Sequence, residues 1–381
     1  MRPTIHLALT DDWELRGNGS GDVEEIQLRP MRELVRLYHE YGARGTFNAE
    51  MMQQLTFRRR QDEHPELKAL ADAWDDHVRD AFRQGHDIQL HAHPQWSEAR
   101  YEGGRWRLSG DWSILNYDAE SAYEMLAAGK EYLENLLRPV DPAYRCVSFR
   151  AGASCIAPSP FILGVLARLG IVFDMSIVGG MRVHTRNLRL DYTNCEESFL
   201  PFYPRMDDAR RVSDKAEPII CVPIFHFHTS RRRALVQIAS KTRRKVFQKV
   251  GRAAGGGGEG FESYAQQEWA DVSQTSALAR VYEKALRPCL VGRHETADVG
   301  ALDYPSLREM MGAMRRRARQ SGLEEAPVIL TNHSKYITDF APIERFLAEA
   351  AAADDIEFVT LSDIAAKLRA GDFPVRTAAA G

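Results

Sequence analysis

DIQLHAHPQW, residues 87–96, places two histidines one residue apart at the end of a short apolar run. Side chains alternate along a strand, so His91 and His93 point to one face. Just upstream, residues 65–84 (PELKALADAWDDHVRDAFRQ) carry helical periodicity, and Gly85 stops it. The run therefore reads as a strand that follows a helix and ends in two imidazoles. A divalent metal ion is the ligand such a pair suggests; a polar strand end is the plainer reading.

The same rhythm extends in both directions. Upstream, 5–9 reads as a strand, 30–41 as a helix closed by Gly42, and GTFNAE from Gly45 as a second strand. Downstream, helices are expected over 119–137, 160–169, 304–320, 342–353 and 362–368. Strands are expected over 146–149, 171–173, 219–223, 328–331 and 358–359. Strand–helix alternation predicts a parallel sheet with helices outside it, either open or closed into a barrel. Two segments interrupt the pattern. Residues 97–117 read as an inserted loop or hairpin. Residues 229–300 form a longer insertion that begins TSRRRALVQIASKTRRKVFQKVGRA, with nine Lys or Arg and no acid, and runs into GGGGEG.

Composition narrows the function classes. The chain has 381 residues, 44% hydrophobic and 27% charged, with 50 basic against 53 acidic side chains for a net charge of −3. No global basic field points to nucleic acid. The opening MRPTIHLALTDDWE has no long apolar stretch, and no run approaches the ~20 apolar residues of a membrane span. Cys146, Cys155, Cys195, Cys221 and Cys289 are widely spaced and form no CxxC pair. These features predict a cytoplasmic protein without a disulfide framework.

Residues able to do chemistry collect at predicted strand ends. Asp11 and Asp12 sit just past the first strand, where one carboxylate can ligate a metal and its neighbour can act as a base on water. As a plain alternative they are turn or capping aspartates. Arg150 ends the strand CVSF and is followed by small residues; it could keep a catalytic carboxylate ionised. His333 follows the strand in VILTNHSKY and could protonate a leaving amine. Asp174, at the end of IVFD, could hold that imidazolium. His226 and His228, in IFHFH, compete with His91 and His93 for the metal role. His86 reads as a surface or helix-end histidine.

Taken in order, these motifs resemble the polysaccharide deacetylase family, the NodB-type or carbohydrate esterase family 4 enzymes. The resemblance covers LTDD, GHDIQLHAHPQ, FRAG, FD and LTNH, and the closing DDIEFVTLSDIAAKL. It implies a single domain over 1–381, a distorted (β/α) barrel of about seven parallel strands with insertions. It implies a metal-dependent hydrolase that removes an acyl group from an amino sugar or glycan precursor. Asp11 is then the general base, Arg150 its orienting partner, His333 the general acid, and Asp174 the member of the fourth motif. Asp12 and His91 become metal ligands. Gln95 falls where the family has its second ligand histidine, so His93 is expected to supply that donor. The metal expected is zinc, with cobalt, nickel or manganese as alternatives. The substrate expected is an intracellular acylated amino sugar, nucleotide- or lipid-linked, whose diphosphate or membrane surface the basic stretch 231–252 would meet. Two other classes stay open: a metal hydrolase acting on a non-sugar amide or a glycosidic bond, and a non-catalytic binding scaffold.

Overall fold

The computed structural model describes residues 3–108, 111–185, 188–235, 287, 290 and 292–378. Eight parallel strands form its main sheet: β1 (Thr4–Trp13), β2 (Gly45–Glu50), β3 (Asp87–Ala92), β4 (Ser148–Ala151), β5 (Phe173–Asp174), β6 (Ile220–Cys221), β7 (Glu325–Leu330) and β8 (Ile356–Phe358). Their order is β6-β5-β4-β3-β2-β1-β7, with β8 also paired to β1, and every pairing is parallel. A parallel bridge between Ile224 and Ile329 joins the two ends of this path. The distorted barrel of about seven parallel strands expected from the sequence is thus present.

Helices cover the outside: α1 (Arg29–Glu40), α2 (Met51–Arg60), α3 (Pro65–Arg83), α4 (Ala119–Leu137), α5 (Ile162–Arg168), α6 (Tyr304–Ser321), α7 (Ala341–Ala351) and α8 (Leu361–Ala370). Local chemistry sets their ends. Asp118 and Asp303 cap α4 and α6 by accepting from Ser121 N and Ser306 N, and Thr360 and Asp363 form a reciprocal box at α8. β2 and β3 are buried along their whole length, as a sheet covered on both faces requires. The outer layer packs against the sheet through pairs such as Trp13 on Trp74 of α3, with ring centroids 5.0 Å apart.

Three expectations change. β1 does not stop at Leu9: it continues to Trp13, so Asp11 and Asp12 lie inside a strand. Helix α2 was not expected, because MMQQLTFRRR carries no apolar stripe; Glu50 starts it by accepting from Met52 N and Gln53 N. His86 is not at the surface. It is buried, and its Nδ1 accepts from Gly45 N at 3.1 Å.

The inserted segment after β3 contains a hairpin, Arg100–Glu102 against Arg105–Arg107. The segment just before the longer insertion, His226–His228, pairs in an antiparallel ribbon with His294–Thr296 near the insertion's end. Most of the basic stretch 231–252 lies outside the described residues, so the expected contact with a diphosphate or membrane surface rests on sequence alone. Among the described residues, no helix is long and apolar enough to cross a membrane.

Candidate active site

In parallel (β/α) folds, sites form at the C-terminal ends of the strands. Here β1 brings Asp12 and, one residue past its end, Glu14; β2 brings Glu50; β3 brings His91 and, one residue past its end, His93; β4 brings Arg150; and the turn after β7 brings His333 and Lys335. Glu14, Asp12, His93, Arg150, His333 and Lys335 all line one cavity of about 370 Å³. Two groups of side chains meet at this cavity, the first reaching it through Glu14 and His93.

The first group is Glu14, Glu50, His91 and His93. All four are buried, and one ligand atom from each lies within 4.8 Å of the others. Glu14 Oε2 stands 2.7 Å from His93 Nε2 and 3.6 Å from His91 Nε2; Glu50 Oε2 stands 3.9 Å from His91 Nε2. His91 Nδ1 lies 2.8 Å from Arg150 O, which can only accept, so Nδ1 carries a hydrogen and donates. In the neutral ring the Nε2 lone pair then faces carboxylates. His91 Nε2 and Glu50 Oε2 are both buried without a hydrogen-bond partner. Burial lowers the proton affinity of His91, but Glu14, Asp12 and Glu50 outweigh it and push the imidazole up to about 9. Burial raises Glu50 above the usual carboxylate range. Glu14 goes the other way: burial is outweighed by His93 and Lys335, which hold it well below that range. Lys335 Nζ donates to Glu14 Oε1, and Gln95 Nε2 lies 2.9 Å from His93 Nδ1.

The second group is Asp12, Arg150, His333 and Asp298. Asp12 Oδ2 accepts from Arg150 Nε at 3.0 Å, and Oδ1 accepts from Asn48 Nδ2 at 2.9 Å. His333 Nε2 lies 3.4 Å from Asp12 Oδ2, and His333 Nδ1 lies 2.7 Å from Asp298 Oδ2. Burial opposes the charge on Asp12, but Arg150, His91 and His333 outweigh it and hold the carboxyl far below its ordinary value. Burial lowers His333, and Asp298 and Asp12 raise it by more, so its pKa lies above the ordinary imidazole value.

The sequence-derived residues divide accordingly. His91, His93, Asp12, Arg150 and His333 come together. Asp12 does so beside Arg150 rather than among the grouped metal donors, and the carboxylates in that group are Glu14 and Glu50. Asp11 does not line the cavity. Strand alternation sends Asp12 and Glu14 inward and Asp11 to the opposite face, where its Oδ1 accepts from Asn332 Nδ2 at 2.7 Å and Ser334 N at 2.8 Å. Asp174 does not hold His333; Asp298 does. Asp174 instead accepts from Ser176 N at 2.9 Å and Ser176 Oγ at 2.7 Å, and burial pushes it up to about 6. His226 and His228 meet His294 on the ribbon, with ring centroids 5.0 and 5.3 Å away. They take no part in the metal-competent group found among the described residues.

Glu14, Glu50, Asp298 and Lys335 were missed from the sequence. Glu14 had a signal: LTDDWE puts Asp12 and Glu14 two residues apart, which is meaningful once β1 is known to continue.

No family model matches the chain, and no curated protein matches it. Several solved structures are similar in fold. A protein from Mycobacterium smegmatis described as a polysaccharide deacetylase matches 100% of this chain and 96% of its own, with TM-score 0.49 and 15% identity. One from Pseudomonas aeruginosa PAO1, also described as a polysaccharide deacetylase, matches 96% of this chain and 91% of its own, with TM-score 0.45 and 12% identity. A 4-alpha-glucanotransferase from Thermococcus litoralis matches 96% of this chain and 40% of its own, with TM-score 0.49 and 11% identity. These are likenesses in the course of the backbone; the chemistry rests on this chain's own side chains.

Proposed function

We propose that the chain is a metal-dependent hydrolase that removes an acyl group from the nitrogen of an amino sugar. The observation that carries this reading is the unpartnered pair His91 Nε2 and Glu50 Oε2, buried beside the cavity-lining Glu14 and His93. Buried polar atoms are costly to leave unpaired. Two donors around a tetrahedral ion with bonds of about 2.0–2.1 Å lie about 3.4 Å apart. The 3.6 and 3.9 Å separations from His91 Nε2 are close to that spacing and too long for hydrogen bonds. The residues therefore fit a divalent cation held by His91, His93, Glu14 and Glu50. Two imidazoles with carboxylates suit zinc, and cobalt, nickel or manganese as well.

When bound, such a cation supplies Lewis acidity toward an acyl carbonyl and eases deprotonation of a nearby water. Asp12, on the cavity wall, is the base that receives the water's proton. Arg150 and Asn48 keep it ionised and aimed. His333 Nε2 is the donor to the departing nitrogen, and Asp298 fixes the ring through Nδ1. Once His333 has given its proton to the nitrogen, the 3.4 Å gap to Asp12 lets the proton taken from water pass on to Nε2 and reset both groups. Trp112 and Tyr336 give the cavity aromatic walls suited to the apolar face of a sugar ring.

The test is product analysis on N-acetylated amino sugars with metal-depleted and metal-restored protein. Acetate released only after metal is restored is the expected result. Reducing ends appearing instead would mean a glycosidic bond is cut, and no turnover with metal bound would leave a binding scaffold.

A further inference from the structure

Asp11 is a buried carboxyl group that the proposed chemistry does not use, yet it grips both neighbours of His333. One oxygen, Oδ1, accepts from the side chain of Asn332 and from the backbone N–H of Ser334. Asp12 N donates to Asn332 O at 2.9 Å, a further tie between the same two segments. The turn that carries His333 is thus fastened to β1 on either side of the imidazole. Asp298 sets the ring's rotation through Nδ1; nothing about that bond fixes the height of the backbone beneath it.

We infer that Asp11 is a positioning residue for the proton donor: it sets the distance from His333 Nε2 to the leaving nitrogen by clamping Asn332 and Ser334 to β1. The inference rests on the reading of His333 as the donor. Asp11 itself touches neither substrate nor the grouped metal donors. A displacement of about 1 Å in a reacting group can cost on the order of 10²-fold in rate. Only steps that need the proton should feel that loss.

The leaving group provides the test. A basic amine, as in an N-acetyl sugar, needs protonation to depart; 4-nitrophenolate from an activated acetate ester does not. Asp11→Ala should lower kcat on the N-acetyl sugar by about 10²-fold, while kcat on the ester stays close to wild type and metal content is unchanged. Asp11→Asn retains a carbonyl oxygen for both donors and should restore most of the activity. In the His333→Gln background, Asp11→Ala should add no further loss. Asn332→Ala removes one of the two donors and should show the same leaving-group dependence more weakly, which keeps the test available should Asp11→Ala not fold. Equal losses on amide and ester, or undiminished amide turnover in folded Asp11→Ala, would overturn the inference. A His333→Gln enzyme with no leaving-group dependence would instead remove His333 as the donor, which is a failure of the underlying reading.

Discussion

The two side-chain groups that meet at the cavity are built from similar residues but finished differently. On one side, Asp12 has partners on both oxygens and His333 has a carboxylate at each ring nitrogen. On the other, His91 and Glu50 each keep a buried atom with no partner. Buried polar atoms in folded proteins are nearly always satisfied. On the proposed reading, the complete group, whose carboxylate and imidazole are fully partnered, serves proton transfer, and the incomplete group, which keeps His91 Nε2 and Glu50 Oε2 unpartnered, serves a bound cation. In that proposal Asp12 serves proton transfer and Glu14 the cation, although Glu14 follows Asp12 by two residues, just past the end of β1.

Changes on the complete side should hurt chemistry without touching the cation. His333→Gln is expected to lower kcat by about 10²–10⁴-fold at normal metal content. The wild-type kcat/KM should fall as pH rises through the His333 pKa, because the protonated ring is the active form. Burial lowers that pKa, but Asp298 and Asp12 raise it by more, so the limb should lie above the ordinary imidazole value. In Asp298→Asn the limb should move to lower pH, since the larger of the two raising charges is gone. A limb unmoved by Asp298→Asn would detach His333 from it.

Next in size is Arg150→Met. It leaves the Asp12 carboxylate buried without its cation, a loss of about 3–5 kcal/mol in folding stability. Urea denaturation reads this directly, and a change below about 1 kcal/mol would show that Arg150 is not the partner that makes an ionised Asp12 tolerable.

The smallest expected effect falls on the incomplete side. Gln95 stands behind His93, and its Oε1 has no partner. Turned over, the amide would accept from Nδ1–H and free Nε2 for the cation. Gln95→Leu should weaken metal affinity by about 10–100-fold, read by chelator competition, and leave kcat at saturating metal nearly unchanged. Unaltered affinity would make Gln95 simple packing.

Much of this arrangement is visible in the chain. Period-2 spacing placed His91 and His93 on one face, and apolar runs between helical patterns announced the barrel. What was hidden depended on where β1 ends. Read as stopping at Leu9, it leaves Asp11 and Asp12 in a loop where alternation says nothing. Extended to Trp13, it sets Asp12 with Glu14 and turns Asp11 away. Glu50 was obscured because it closes β2 and caps α2 together, and α2 has no apolar stripe. Asp298 lies in irregular chain that a bridge to Thr331 brings beside His333, a tertiary contact with no local signal. Asp174 misled because a strand-end aspartate looks alike whether it serves a histidine or its own Ser176.

The division between the two groups is tested most directly by metal content in two variants purified side by side, Asp12→Asn and Glu14→Gln. Both replace an ionised carboxylate by its amide, two residues apart at the end of β1. The account predicts that Asp12→Asn retains its metal and loses turnover, whereas Glu14→Gln loses the metal. Metal lost from Asp12→Asn and kept in Glu14→Gln would contradict it and return Asp12 to the ligand set.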